Sequence, residues 1–130
     1  MAKNTLFKIL FYAATLLVLV ITLMPLSSDR PGFLQAILFE DIDKVVHAGI
    51  FFLLIILQRL AWPSSSIWPP IIALLVYGLC IEYLQHTLPT GRSFDWWDWI
   101  FDGIGIIFGA IFYEYAMRRY LTTHSHSVPS

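Results

Sequence analysis

One cysteine, few charges and no basic cluster set the first limits on this chain of 130 residues. The lone cysteine, Cys80, excludes an internal disulfide and any multi-cysteine metal site. It lies in an apolar run and reads as a small packing residue. The formal net charge is −1 and no Lys/Arg cluster exists to meet a phosphate backbone, so nucleic acid is not an expected partner. Charged residues make up only 13% of the chain against 58% hydrophobic, and mean hydropathy is +0.70, too apolar for an ordinary soluble domain. There is no internal repeat, and the apolar residues come in long blocks rather than the alternation of half-buried strands.

Four blocks are long enough to cross a bilayer, whose ~30 Å hydrocarbon core takes about 20 helical residues. They predict an all-α, polytopic membrane domain over residues 1–120, with transmembrane helices at about 6–26, 45–62, 71–88 and 97–117. A Ser/Thr/His tail, 121–130, is expected to be disordered. The first block follows Lys3 and Lys8 as in a signal peptide, but it exceeds the usual ~7–15 residues and no A-x-A site follows. It reads as an uncleaved first helix. In the connection after Pro25, the stretch PGFLQAILF is too short to span, and suits either an interfacial turn of helix or a loop over the bundle. Pro69 and Pro70 suit the start of the third helix, and Pro89-Thr90-Gly91 breaks it from the fourth.

The basic residues agree on an orientation. Lys3 and Lys8 precede the first span, Arg59 closes the second and Arg118-Arg119 follow the fourth. With four crossings these all fall on one side, which the positive-inside rule makes the cytoplasm, so both termini are expected there. The opposite loops hold Asp29, Glu40, Asp41, Asp43, Asp95 and Asp98 against Arg30, Lys44 and Arg92. Trp62 and Trp68 bracket the inner turn, and Trp96, Trp97 and Trp99 crowd the outer one as interfacial anchors.

This orientation brings distant polar residues to one level. Asp43 and His47, one helical turn apart, open the second helix beside Lys44, while Glu82, Gln85 and His86 lie in the last turns of the third. Asp95, Asp98 and Asp102 follow at i, i+3, i+7 on one face of the fourth. A charge at the centre of a spanning helix costs about 2.5–3.5 kcal/mol, less near the interface, so Glu82 and Asp102 require partners or protons. The basic groups in reach are Lys44, Arg92, His47 and His86.

The joint pattern D-K-x-x-H, then G-x-x-x-E-x-x-Q, then R-S-F-D-x-x-D before a glycine-rich helix resembles the VanZ-like family of bacterial membrane proteins. Here it comprises Asp43, Lys44 and His47; Gly78, Glu82 and Gln85; Arg92, Ser93, Phe94, Asp95 and Asp98; then Gly105 and Gly109. The motif core covers about 41–112. One position departs from the family, which usually shows asparagine where this chain has the ionisable Asp102. The family takes its name from a protein associated with low-level resistance to teicoplanin. The resemblance implies a multi-pass protein of the bacterial inner membrane acting at the cell envelope, without supplying a reaction.

Several roles fit these residues. Arg92, with Lys44 opposite, suits recognition of the phosphate or carboxylate of an envelope lipid or lipid-linked cell-wall precursor, with Gln85, Asp95, Asp98 and Asp102 lining the pocket. Its structural alternative is an ion pair to Asp95 or Glu82. Asp43, His47 and Glu82 are candidate catalytic groups for a second reading, a membrane-embedded hydrolase acting on a lipid-linked phosphate. That reading lacks an obvious nucleophile, since Ser93 is the only serine in the motif. A proton-coupled exporter is the least favoured reading, because the first helix carries no acidic residue. No cofactor is expected. Glu82, Asp98 and Asp102 with His47 are of a type to hold a divalent metal, but no H-x-x-x-H or H-E-x-x-H spacing supports one. Gly105-x-x-x-Gly109 lets helices approach closely, and packing inside the bundle is favoured over a dimer. Glu114 and Arg118 read as an i,i+4 surface pair.

Overall fold

A computed structural model describes residues 2–25, 40–63 and 66–125. Among them are four helices and no strand: α1 (Ala2–Thr22), α2 (Glu40–Ala61), α3 (Trp68–Thr87) and α4 (Trp96–Ser125). Each has a stretch long and apolar enough to span a membrane: Asn4–Thr22, Ile42–Ala61, Trp68–Thr87 and Trp96–Met117. The segment PGFLQAILF lies outside the described residues, as do 126–130.

Several helix boundaries differ from the sequence expectation: α2 begins at Glu40 rather than near 45, α3 at Trp68 rather than near 71, and the ends of α1 and α4 lie elsewhere. α1 stops at Thr22 rather than near 26, because Pro25 disfavours helical backbone in the residue before it. Its last turn closes through Leu23 N–H to Leu19 O and Met24 N–H to Ile21 O. α4 instead runs on to Ser125, into the segment expected to be disordered. Pro69 and Pro70 begin α3, where missing N–H groups remove no helical bond.

The chain folds up and down, so α1 lies parallel to α3 and α2 parallel to α4. Contacts fix this register. Tyr77 of α3 donates to Thr15 O of α1 and Gln85 to Thr22 O, seven and eight residues further along each chain. On the other pair, His47 meets Asp102 and Arg59 meets Glu114. The α2–α4 contact is close because Gly105 and Gly109 face α2. A Cβ on Gly105 would strike the carbonyl of Ala48, and one on Gly109 would lie 2.7 Å from Phe52 O.

Phe51, Leu54, Ile55, Ile81 and Ile106 fill the interior. Leu16, Leu53, Val76, Ile107 and Ile111 point outward, an apolar exterior suited to lipid rather than water. Cys80, expected to pack inside, is on this outward face. Its run is apolar all round, so the sequence has no polar stripe to mark which side faces lipid.

Candidate functional site

At the end of the bundle where α1 and α3 finish and α2 and α4 begin, a short turn sets the geometry. Leu88 leaves the helix with its N–H still bonded to Leu84 O at 2.9 Å. Thr90 Oγ1 then donates to Gln85 O at 2.7 Å and accepts from Arg92 N–H at 3.2 Å. Between them Gly91 has φ 75°, in the left-handed region a glycine enters without a Cβ clash. The chain thereby turns Arg92 back over the bundle. Arg92 Nη2 donates to Asp43 Oδ2 at 2.5 Å and lies 3.8 Å from Asp98 Oδ2.

α4 opens on Asp95, whose Oδ1 accepts the N–H of Trp97 at 2.8 Å and caps the helix. The N–H of Asp95 itself donates to Glu82 Oε2 at 3.0 Å, tying α3 to the start of α4. Glu82 Oε1 has no partner among the described residues, although the side chain is fully buried.

His47 is at the centre of the cluster. Its Nδ1–H donates to Asp102 Oδ1 at 2.9 Å, which leaves Nε2 directed between Asp43 Oδ1 at 3.8 Å and Asp98 Oδ2 at 3.9 Å. Both carboxylate pairs arise from helical spacing. Asp43 stands one turn before His47 on α2, and Asp98 one turn before Asp102 on α4, so parallel helices in close contact set the two faces opposite each other. Space for Asp102 comes from α3: a Cβ on Gly78 would lie 2.6 Å from Asp102 Oδ2. His47, Asp98, Asp102 and Glu82 are all at most 5% exposed.

Formal charge does not balance here. Among the described residues four buried carboxylates, Asp43, Glu82, Asp98 and Asp102, stand around the guanidinium of Arg92 and the imidazole of His47, with Lys44 half-buried at the same helix start. Two like charges ~4 Å apart repel by about 4 kcal/mol at an effective dielectric of ~20. Such crowding is electrostatically costly inside an apolar bundle unless protons or cations offset it.

Of the residues singled out from sequence, Asp43, His47, Glu82, Arg92, Asp98 and Asp102 come together. Asp95 is at the rim as a helix cap, and Lys44 is half-buried beside Asp43 in sequence. Gln85 turns away to α1, where its Nε2 donates to Thr22 O at 2.9 Å and satisfies a carbonyl orphaned at a helix end. The pairings also differ from expectation. His47 hydrogen-bonds Asp102 rather than Asp43, and Arg92 takes Asp43 and Asp98 rather than Asp95 or Glu82. His86 is exposed and lines an outward apolar cleft with Leu79, Tyr83, Phe94 and Trp96.

Two contacts have no clear signal in the sequence. Trp99, which has the composition of an interfacial anchor, donates from Nε1 to Leu75 O at 2.9 Å and pins α4 to α3. Glu114 salt-bridges Arg59 of α2 at 2.9 Å, a contact across helices, while the expected local pairing with Arg118 falls on a side chain outside the described residues. An acidic residue facing a basic one at the same depth of a neighbouring helix is the only hint that the sequence offers.

No curated protein and no solved structure matches the chain. A family model described as VanZ/LLP1 matches residues 6–118, which takes in all four spans and every residue of the cluster. The chain is therefore a member of the VanZ/LLP1 family of membrane proteins.

Proposed function

We propose that the protein works at the outer face of the bacterial inner membrane, where the Arg92 end of the bundle binds the anionic headgroup of an envelope lipid or lipid-linked peptidoglycan precursor. One observation carries this reading. Arg92 is held by Asp43 through Nη2, and among the described residues its other guanidinium nitrogens make no hydrogen bond. A guanidinium anchored on one side, with its side chain 13% exposed, is preorganised to take phosphate or carboxylate oxygens on the other. Lys44 adds positive charge at the same helix start. The outer location follows from the positive-inside rule, since Lys3, Lys8, Arg59 and Arg119 belong to the opposite end. A part in glycopeptide tolerance would follow if the bound headgroup is that of the cell-wall precursor.

The Asp102–His47 hydrogen bond favours a second reading, hydrolysis of a lipid-linked phosphate. A carboxylate on Nδ1 fixes the imidazole so that Nε2 faces the cluster as a general base, the arrangement used to activate water.

Binding of a short-chain polyprenyl phosphate to the purified protein in neutral-lipid nanodiscs tests the proposal. Wild type is expected to bind the phosphate and not the corresponding alcohol, and Arg92→Gln to bind at least tenfold more weakly. Equal binding of phosphate and alcohol, or no effect of Arg92→Gln, would refute it. Release of inorganic phosphate in the same preparation, lost in His47→Ala, would establish the hydrolytic reading.

A further inference from the structure

We infer that Asp43, His47 and Asp98 hold a divalent cation, with Asp102 orienting the histidine from behind. His47 is 5% exposed, and among the described residues its Nε2 makes no hydrogen bond: the two carboxylate oxygens it faces stand off at 3.8 and 3.9 Å. A protonated Nε2 would draw one of them to about 2.7–2.9 Å, the length of a charge-assisted bond. A neutral imidazole with its proton on Nδ1 turns a lone pair toward two anions, which is repulsive unless something positive lies between. One donor atom from each of the three residues lies within 4.8 Å of the others. Ligands ~2.1 Å from a metal sit about 3.0–3.5 Å apart at octahedral or tetrahedral angles, so an inward shift of well under 1 Å per donor closes the set.

The surroundings match a metal site as well as the donors do. Asp102 Oδ1 accepts the Nδ1–H of His47 at 2.9 Å, the outer-shell carboxylate that metal-ligating histidines usually have. Arg92 occupies Asp43 Oδ2 and leaves Oδ1 on the His47 side. Glu82 Oε1, buried and without a partner among the described residues, brings a further carboxyl group close by, since Asp98, His47 and Asp102 are all among its charged neighbours. One imidazole and two carboxylates suit a first-row divalent ion such as Mn2+ or Zn2+. Three protein ligands leave coordination positions open, as in catalytic rather than structural sites. By residue type alone the sequence offers Glu82, Asp98 and Asp102 with His47, or Asp43 with His47; the fold gathers Asp43, His47 and Asp98 and sets Asp102 behind the histidine. The cation site rests on donor geometry alone and stands whether or not the protein binds a lipid phosphate.

Cobalt substitution tests it. The protein is purified without a polyhistidine tag, stripped with chelator, exchanged into nanodiscs and titrated with Co2+ while visible d–d absorption is followed. The expected result is one Co2+ per chain with bands of a nitrogen- and oxygen-ligated ion. His47→Ala and Asp98→Asn are expected to abolish the bands, Asp102→Ala to weaken binding about 10–100-fold, and Glu114→Gln to leave it unchanged. Monodisperse elution of each variant shows that it is folded. Absence of Co2+ bands in folded wild type would overturn the inference. So would stoichiometric binding that survives both His47→Ala and Asp98→Asn, which would place the ion elsewhere, for instance on His124 and His126. Polyprenyl phosphate binding measured with and without chelator separates this result from the lipid reading, because either can fail alone.

Discussion

The two ends of the bundle carry charge in different ways. At the Trp62 end, Arg59 meets Glu114 at 2.9 Å, stacks on the Tyr113 ring, and receives the Tyr113 hydroxyl on its backbone carbonyl. The anion of this pair is 40% exposed. At the Arg92 end, four buried carboxylates crowd around one arginine and one histidine. The first arrangement is what a membrane bundle needs to hold two helices in register. The second is more charge than register requires, in a place where each charge is expensive. A surplus of that kind has to be accounted for by what the site binds or does.

The largest effect is expected at Gly105, which serves both ends by letting α2 and α4 touch. In Gly105→Val the new Cβ meets the backbone of Ala48, which cannot swing aside as a side chain would. Overpacking of this kind costs about 1–3 kcal/mol or more, and here it separates the most extensive helix pair. Folded protein, read as the monodisperse peak after detergent extraction, is expected to be lost. Normal yield of Gly105→Val would show that the α2–α4 contact is not what assembles the cluster.

Gly78→Ala is expected to act more locally, on the Arg92 end alone. Its Cβ would meet Asp102 Oδ2, the end of a side chain that can move. The protein should still fold, at a loss of about 1–2 kcal/mol, while Asp102 is displaced from His47 and Co2+ binding weakens by about tenfold or more. Unchanged Co2+ affinity in Gly78→Ala would mean that the Asp102–His47 bond does not position the histidine.

Much of this is legible from sequence, for identifiable reasons. The four spans come from block length, and their ends from Pro25, Pro69 and Pro89, residues whose backbone chemistry leaves little choice. That Asp43 and His47 share a face, and Asp98 and Asp102 another, follows from the helical repeat. Partner choice is not legible. His47 has Asp43 one turn away, yet it bonds Asp102, 55 residues off, because Gly105 lets α4 close on α2 and Gly78 leaves room for that carboxylate beside α3. Gln85 and Trp99 have backbone carbonyls as acceptors, Thr22 O and Leu75 O, and every residue has a carbonyl. Which of them is orphaned or within reach depends on where helices end and cross. Glu114 has Arg59 of a neighbouring helix as a partner at the same depth, a contact that the local i,i+4 rule does not reach.

Melting temperatures of Glu114→Gln and Asp98→Asn test the difference between the ends most directly, measured side by side in the same detergent with polyprenyl phosphate and Co2+ binding followed in parallel. Glu114→Gln removes one half of a balanced, partly exposed pair; a small drop is predicted, worth less than about 1 kcal/mol, with binding intact. Asp98→Asn removes a charge from a crowd of like charges; an unchanged or higher melting temperature is predicted, with phosphate binding kept or strengthened because a negative charge beside Arg92 is gone, and Co2+ binding lost. If Asp98→Asn instead melts well below wild type and Glu114→Gln does not, the buried carboxylates hold the bundle together, and the Arg92 end is a structural clamp rather than a binding site.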